Sequence, residues 1–305
     1  MSTVFSQNDS IEIGNDTVRL FRDVPVIRFE SASFLGLFGE VELIVSGCGW
    51  DGGVCDFLHE KELSFLQTIS AENYKSACFA GRVLAKATWS LAHNAKYTQA
   101  TLKFMELNTQ VRQREAVVQW RSLSPIPASI YNHKNLRPNQ LCILSRDQFN
   151  RSTLPIMFFD GGVVDCSFSI SHVDSHVAVF FAKDNGMRIG CDLVNPDSIT
   201  ANLRKLFYKQ NELNSQLNSA ENLPIKFHNE RIWSVKETAF KILGNGRTFK
   251  PEQWLTVYSE NGWYQCTDID TPDQKKINIR TQIIKNKILA IGCDIPYPAR
   301  RQASV

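Results

Sequence analysis

The chain has 305 residues, of which 43% are apolar and 21% charged, a make-up that excludes long disorder and fibrous repeats. The length suits one large domain or two lobes, each able to bury a core. With 34 Lys and Arg against 31 Asp and Glu, the net charge of +3 is too mild to signal a nucleic-acid binder, although it suits an anionic ligand or an acidic partner.

In chain order, Met1–Asp9 shows neither the basic nor the apolar segment of a secretory leader. Residues 1–38 read as an N-terminal extension with one short strand at Val26–Phe29. Val41–Ser46 has a strand pattern, and Phe57–Leu66 and Ala71–His93 read as helices, the second with Ala77, Ala80, Val83, Ala87 and Leu91 at helical spacing. Three prolines make Leu123–Pro138 a loop. Phe168–Ile170 and His176–Ala182 form a strand pair around the turn-like Val173–Ser175. Asp184-Asn185-Gly186 is a turn signal, and Met187–Val194 is a strand halted by Asn195-Pro196. Ser198–Leu217 and Glu230–Leu243 read as helices, the latter stopped by Gly244-Asn245-Gly246. Trp254–Pro296 reads as strands joined by polar turns. Ile189–Asp192 and Ile291–Asp294 share four letters, too few to establish a repeat. The expected fold is α+β in two lobes, 39–184 and 185–305, each a small antiparallel sheet packed with a long helix.

The eight cysteines contain no Cys-x-x-Cys pair. Runs such as Ser76-Ala77-Cys78-Phe79 point to buried thiols rather than a zinc site or a disulfide framework. The longest purely apolar stretch, near Val177–Ala182, is too short to cross a bilayer. The expectation is a soluble, cytoplasmic monomer with no membrane or nucleic-acid partner.

Three clusters could carry chemistry. In Trp233–Lys241, residues Ile232, Val235, Ala239, Ile242 and Leu243 share one helical stripe, while Glu237 and Lys241 lie together on the other side. That pair is either a surface ion pair or a carboxylate for a metal or proton with an ammonium beside it for a phosphate. Lys236 sits at the edge of the apolar stripe, where a long lysine can snorkel. Asp192 lies at the end of an apolar strand in Ile189–Val194. It either caps a turn or, with Glu237, supplies the one or two carboxylates that Mg²⁺ takes from a protein. In Ser169-Ile170-Ser171-His172, alternation puts both serines on one strand face and His172 on the other. The histidine is either structural or an anion ligand. Arg82 and Lys86, on the long helix, are surface charges or phosphate contacts. A serine hydrolase is disfavoured, because no Gly-x-Ser-x-Gly elbow surrounds either serine.

Taken in order, Ser-x-Ser-His at 169–172, Gly-x-Asp at 190–192 and Trp-Ser-x-Lys-Glu-x-x-x-Lys-x-x-Gly at 233–244 resemble the 4′-phosphopantetheinyl transferases, most of all the long surfactin-type enzymes built as a pseudo-dimer. Phe79-Ala80-Gly81-Arg82 with Ala85-Lys86 is similar to a helix of the siderophore-associated members. The resemblance spans Val41 to Asp294. It implies transfer of the phosphopantetheine arm of coenzyme A to a serine of an apo acyl or peptidyl carrier protein, with release of adenosine 3′,5′-bisphosphate. It implies Mg²⁺ on Asp192 and Glu237, Glu237 as general base, and Lys241 on the phosphates. Coenzyme A would be held by Ser171, His172 and Lys236, with Lys75, Arg82 and Lys86 around its 3′-phosphate, in a site at the lobe interface. Two departures stand out. Val194 occupies the place where many surfactin-type enzymes carry a second acid, and the Gly-Lys/Arg-Pro before the Ser-x-Ser-His strand is reduced to Leu154-Pro155. These motivate the alternative of a non-catalytic homologue that binds coenzyme A or a carrier protein.

Overall fold

The computed structural model describes residues 17–20, 24–31, 33–53, 57–93, 141–146, 152–159, 162–164, 166–183, 186–214, 226–244, 247–259 and 262–294. Apolar alternation builds two five-stranded antiparallel sheets, and helical stripes cover their outer faces. The first sheet contains β1 (Thr17–Leu20), β2 (Val24–Glu30), β3 (Phe34–Glu40), β7 (Phe168–Val173) and β8 (His176–Ala182), in the order β1-β2-β3-β8-β7. The second contains β9 (Arg188–Val194), β10 (Trp254–Tyr258), β11 (Trp263–Asp268), β12 (Lys276–Ile284) and β13 (Lys287–Asp294), in the order β10-β11-β12-β13-β9. A small third sheet joins β4 (Leu141–Arg146), β5 (Ser152–Phe159) and β6 (Gly162–Val163). The fold is mixed α+β.

The two faces of β8 show how the layers stack. Val177, Val179 and Phe181 share a core with Ala80, Val83 and Leu84 of α3 (Glu72–His93). Ala178, Phe180 and Ala182 point the other way and meet Ile189, Cys191 and Leu193 of β9 and Leu289, Ile291 and Cys293 of β13. The far face of the second sheet carries α6 (His228–Leu243), whose Ile232, Val235, Ala239 and Ile242 pack on Ile279 and Ala290. The order of layers is therefore helix, sheet, sheet, helix. Each large aliphatic or aromatic side chain withdrawn from water contributes roughly 1.5–3 kcal/mol, so the central layer binds the two sheets firmly.

Close approach of α6 to its sheet requires glycine. Gly190 pairs with Gly292 across β9 and β13, and a Cβ at 190 would lie 2.6 Å from the Thr238 carbonyl oxygen. The two four-letter matches noted in the sequence are thus antiparallel partners.

A row of serines joins the sheets. The backbone N–H groups of Ile189, Cys191 and Leu193 donate to the hydroxyls of Ser167, Ser169 and Ser171, each at 3.0 Å. Among the described residues β9 pairs only with β13, so alternate amides on its other edge would be orphaned without these acceptors.

Two buried ion pairs anchor the long helices in the same way. Lys86 Nζ donates to the Phe57 carbonyl and to Glu62 of α2 (Glu60–Gln67), and Glu62 also accepts from the His59 and Ile143 amides. Lys236 Nζ donates to the Phe207 carbonyl and to Glu212, and Glu212 accepts from the Lys209 and Thr256 amides. The sequence separations match as well, 24 residues from Glu to Lys and 29 from Phe to Lys in both.

Three expectations need correcting. Val41–Ser46 is not a strand but helix α1 (Val41–Gly47), because turning Val41 and Ile44 together into the core against α3 outweighs local β preference. The extension over 1–38 does not hold for 24–38, where β2 and β3 are inner strands of the first sheet. Within the expected helix Ser198–Leu217, of which 215–217 lie outside the described residues, there are two short helices, α4 (Ala201–Phe207) and α5 (Gln210–Asn214), split at Tyr208, which is extended (φ −109°, ψ 139°) where the Phe207 carbonyl turns to Lys236. Leu123–Pro138 and residues 245–246 lie outside the described residues.

Candidate functional site

β9 and α6 bring the acidic motifs together. Asp192 is not at a strand end but inside β9, opposite Ala290 of β13, and is 3% exposed. Its Oδ1 accepts from Lys241 Nζ and from Ser171 Oγ, both at 2.9 Å. Its Oδ2 is buried with no hydrogen-bond partner. Lys241 also donates to the Cys191 carbonyl at 2.9 Å and lies 3.9 Å from Glu237 Oε2. The Glu237–Lys241 pair is therefore no isolated surface ion pair, because the lysine is drawn inward to a third group.

Electrostatics mark the cluster as strained. Burial, and then the Asp192 charge, push the Glu237 carboxyl up to about 8, close enough to Asp192 to share a hydrogen bond when one of them is protonated. Burial opposes the Lys241 ammonium, but Asp192 and Glu237 outweigh it and hold the lysine charged. Trp233 Nε1 donates to Glu237 Oε1 at 2.9 Å, one helical turn away.

The anion-binding candidates divide. Ser171 and His172 adjoin the cluster on β7. His172 faces α3, its ring 5.3 Å from that of Tyr74. Burial lowers its pKa, helped by the Lys241 and Arg82 charges on either side. Arg82 is 5% exposed, donates to the Cys78 carbonyl and to Ser145 Oγ, lies over Phe65, and has its Nε 3.9 Å from Glu62 Oε1. Lys75, two turns earlier on α3, is paired with Glu72 at 3.2 Å. Arg82 is thus anchored on the same buried Glu62 as Lys86, and its charge forms a basic flank felt at His172. Lys236 and Lys86 do not belong to it. Lys236 is fully buried on Glu212 and also donates to the Pro251 carbonyl, and Lys86 is 3% exposed on Glu62. Both serve the fold, which corrects their assignment to coenzyme A.

The residues present suit a hard divalent cation. Asp192 and Glu237 supply two carboxylates, one with a buried oxygen lacking a donor, and Mg²⁺ typically takes no more than that from protein. Among the described residues no group of three or more His, Cys, Asp and Glu is gathered to hold a metal. Val194 is buried and adds no oxygen.

Sequence reasoning missed three participants. Trp233 stands four residues before Glu237, a spacing that already placed the two side by side. Glu62 and Glu212 could have been found from their equal separation from Lys86 and Lys236. No helix of the described residues is long and apolar enough to cross a membrane, and Cys142, Cys191 and Cys266 are buried free thiols. No protein-family model matches the chain, and no curated protein matches it.

Proposed function

We propose that the chain transfers the 4′-phosphopantetheine arm of coenzyme A to a serine of an apo acyl or peptidyl carrier protein, as a pseudo-dimer of two similar lobes with its active site at their junction. The observation that carries this reading is the gathering of Ser171, Asp192, Glu237 and Lys241, from three motifs far apart in sequence, at the seam between the sheets, with His172 on the α3 side of the same strand as Ser171. The repeated Lys–Glu anchors of α3 and α6 support the likeness of the lobes.

In this reaction the carrier serine oxygen attacks the phosphorus that bears the pantetheine. The bond to the adenosine-side bridging oxygen breaks, and adenosine 3′,5′-bisphosphate leaves. Glu237, its carboxyl raised to about 8 and oriented by Trp233, takes the serine proton once ionised. Lys241 stays charged beside the phosphates and offsets the negative charge that develops. His172, Arg82 and Lys75 receive the anionic end of coenzyme A. Asp192 and Glu237 would hold Mg²⁺, which when bound neutralises the pyrophosphate.

Intact-mass measurement of apo carrier proteins incubated with the enzyme, coenzyme A and Mg²⁺ tests the reading. The expected result is a gain of one phosphopantetheine arm, absent with EDTA and in D192N and E237Q. Full activity in either variant would sink the site assignment. A second reading, a non-catalytic binder of coenzyme A or a carrier, is favoured by the two-carboxylate site. Tight coenzyme A binding with no mass gain on any carrier would select it.

A further inference from the structure

We infer that Ser171 is the positioning residue of Asp192, fixing the carboxylate through Oδ1 so that Oδ2 is presented to the cation, an inference that rests on the metal reading above. The polarity of its two hydrogen bonds is forced. A serine hydroxyl has one proton and two acceptor lone pairs. The Leu193 N–H, at 3.0 Å, can only donate to it. The Asp192 carboxylate, at 2.9 Å, can only accept from it. The single proton is thus committed to Oδ1, and Ser171 has none left for a phosphate.

Lys241 brings a second donor to the same oxygen. Two donors on Oδ1 stop the carboxylate rotating, and Oδ2 is left buried with no donor other than the Glu237 carboxyl. A carboxylate oxygen left in that state costs free energy, and a cation would remove the cost. Leu193 is the residue after Asp192, so the serine grips both the side chain and the backbone of the strand that carries it. Ser169 provides an internal comparison. It accepts from the Cys191 amide on the same seam, but its own hydroxyl meets only the Cys191 carbonyl at 3.4 Å. Both serines hold the sheets together, and only Ser171 touches a carboxylate.

The test is Mn²⁺ titration of the full chain, followed by the electron paramagnetic resonance of the free ion, with a urea midpoint for each variant. S171A is expected to weaken Mn²⁺ binding about tenfold or more, the usual loss when a group orienting a ligand is removed. S169A is expected to lower the urea midpoint comparably yet bind Mn²⁺ like wild type, and S171T to restore most of the affinity. S171C, a poorer donor of similar size, replaces S171A if that chain does not fold. Equal Mn²⁺ affinity in S171A and wild type, or equal losses in S171A and S169A, would overturn the positioning role while leaving the metal reading intact. No Mn²⁺ binding by wild type would overturn both.

Discussion

Lys236 and Glu212 form an ion pair from which water is wholly excluded, their charged atoms 2.8 Å apart and both side chains at 0% exposure. The ammonium spends its other protons on the Phe207 and Pro251 carbonyls, and the carboxylate accepts the Lys209 and Thr256 amides. Burial lowers the lysine pKa while Glu212 raises it. Such a pair adds little net stability against an apolar isostere, yet halving it strands a charge. K236M should therefore lose about 3–5 kcal/mol, whereas K236M with E212Q should lose clearly less. Urea unfolding of the two single variants and the double variant forms the cycle. Additive losses would mean that the pair does not act as a unit.

The same arrangement recurs at Lys86 and Glu62, where burial again lowers the lysine. K86M should cost less than K236M in a urea melt, because Arg82 stays 3.9 Å from Glu62 and the carboxylate keeps a cation. A loss below about 1 kcal/mol would place the site among ordinary surface ion pairs and break the parallel between the helices.

Much of this was legible in the sequence, and the reason differs by element. Strong period and clear stops marked α3, α6 and the β7–β8 hairpin. The order of motifs marked Asp192, Glu237 and Lys241. The sequence places Lys236 at the edge of the apolar stripe but does not show its role, because its partner Glu212 sits 24 residues away on another element. Val41–Ser46 misled because a β-branched run is locally ambiguous and only contact with α3 decides it. The serine seam was half visible. Alternation placed Ser169 and Ser171 on one face, but nothing local reveals that an open strand edge waits opposite them.

Acid should weaken the fold in a specific window. His228 is 2% exposed between the Tyr264 hydroxyl and the Glu212 carbonyl. Burial, and then Arg231, lower its pKa against the carbonyl's opposing pull. Its folded pKa lies below the unfolded value of 6.5, so between the two the unfolded chain binds more protons. Stability is then fully present above 6.5 and lost as pH falls toward the folded pKa. His172 and His176 shift the same way. Glu237, raised to about 8, works the other way over the same range, so the histidine contribution is read as a difference. Relative to H228Q, the wild-type urea midpoint should fall as pH drops below 6.5. Parallel midpoint curves for wild type and H228Q would contradict the assignment.

Gly190 ties the fold to the site. An alanine there meets the Thr238 carbonyl at 2.6 Å and Ile242 at 2.8 Å, one of them backbone that cannot rotate aside. G190A should destabilise by about 1–3 kcal/mol, as overpacking does, and should push α6 away from β9. Because Asp192 rides on β9 and Glu237 on α6, carrier modification should fall more steeply than the urea midpoint. Activity retained in the variant would show that the helix yields elsewhere.

Trp233 offers the cleanest separation of chemistry from stability. Its ring packs edge-on against Phe207 and Phe249, and its Nε1–H reaches Glu237 Oε1. Phenylalanine keeps an aromatic ring in the packing and removes only the donor. A hydrogen bond to a charged group contributes about 1.5–3 kcal/mol, so W233F should slow carrier modification by about ten- to a hundredfold at saturating coenzyme A. The urea midpoint should fall by no more than the worth of that one hydrogen bond, because the aromatic packing on Phe207 and Phe249 is kept. W233H, which can restore an N–H, should recover part of the rate. A W233F enzyme with unchanged kcat would free Glu237 from any need of orientation and shift the role of base to another group.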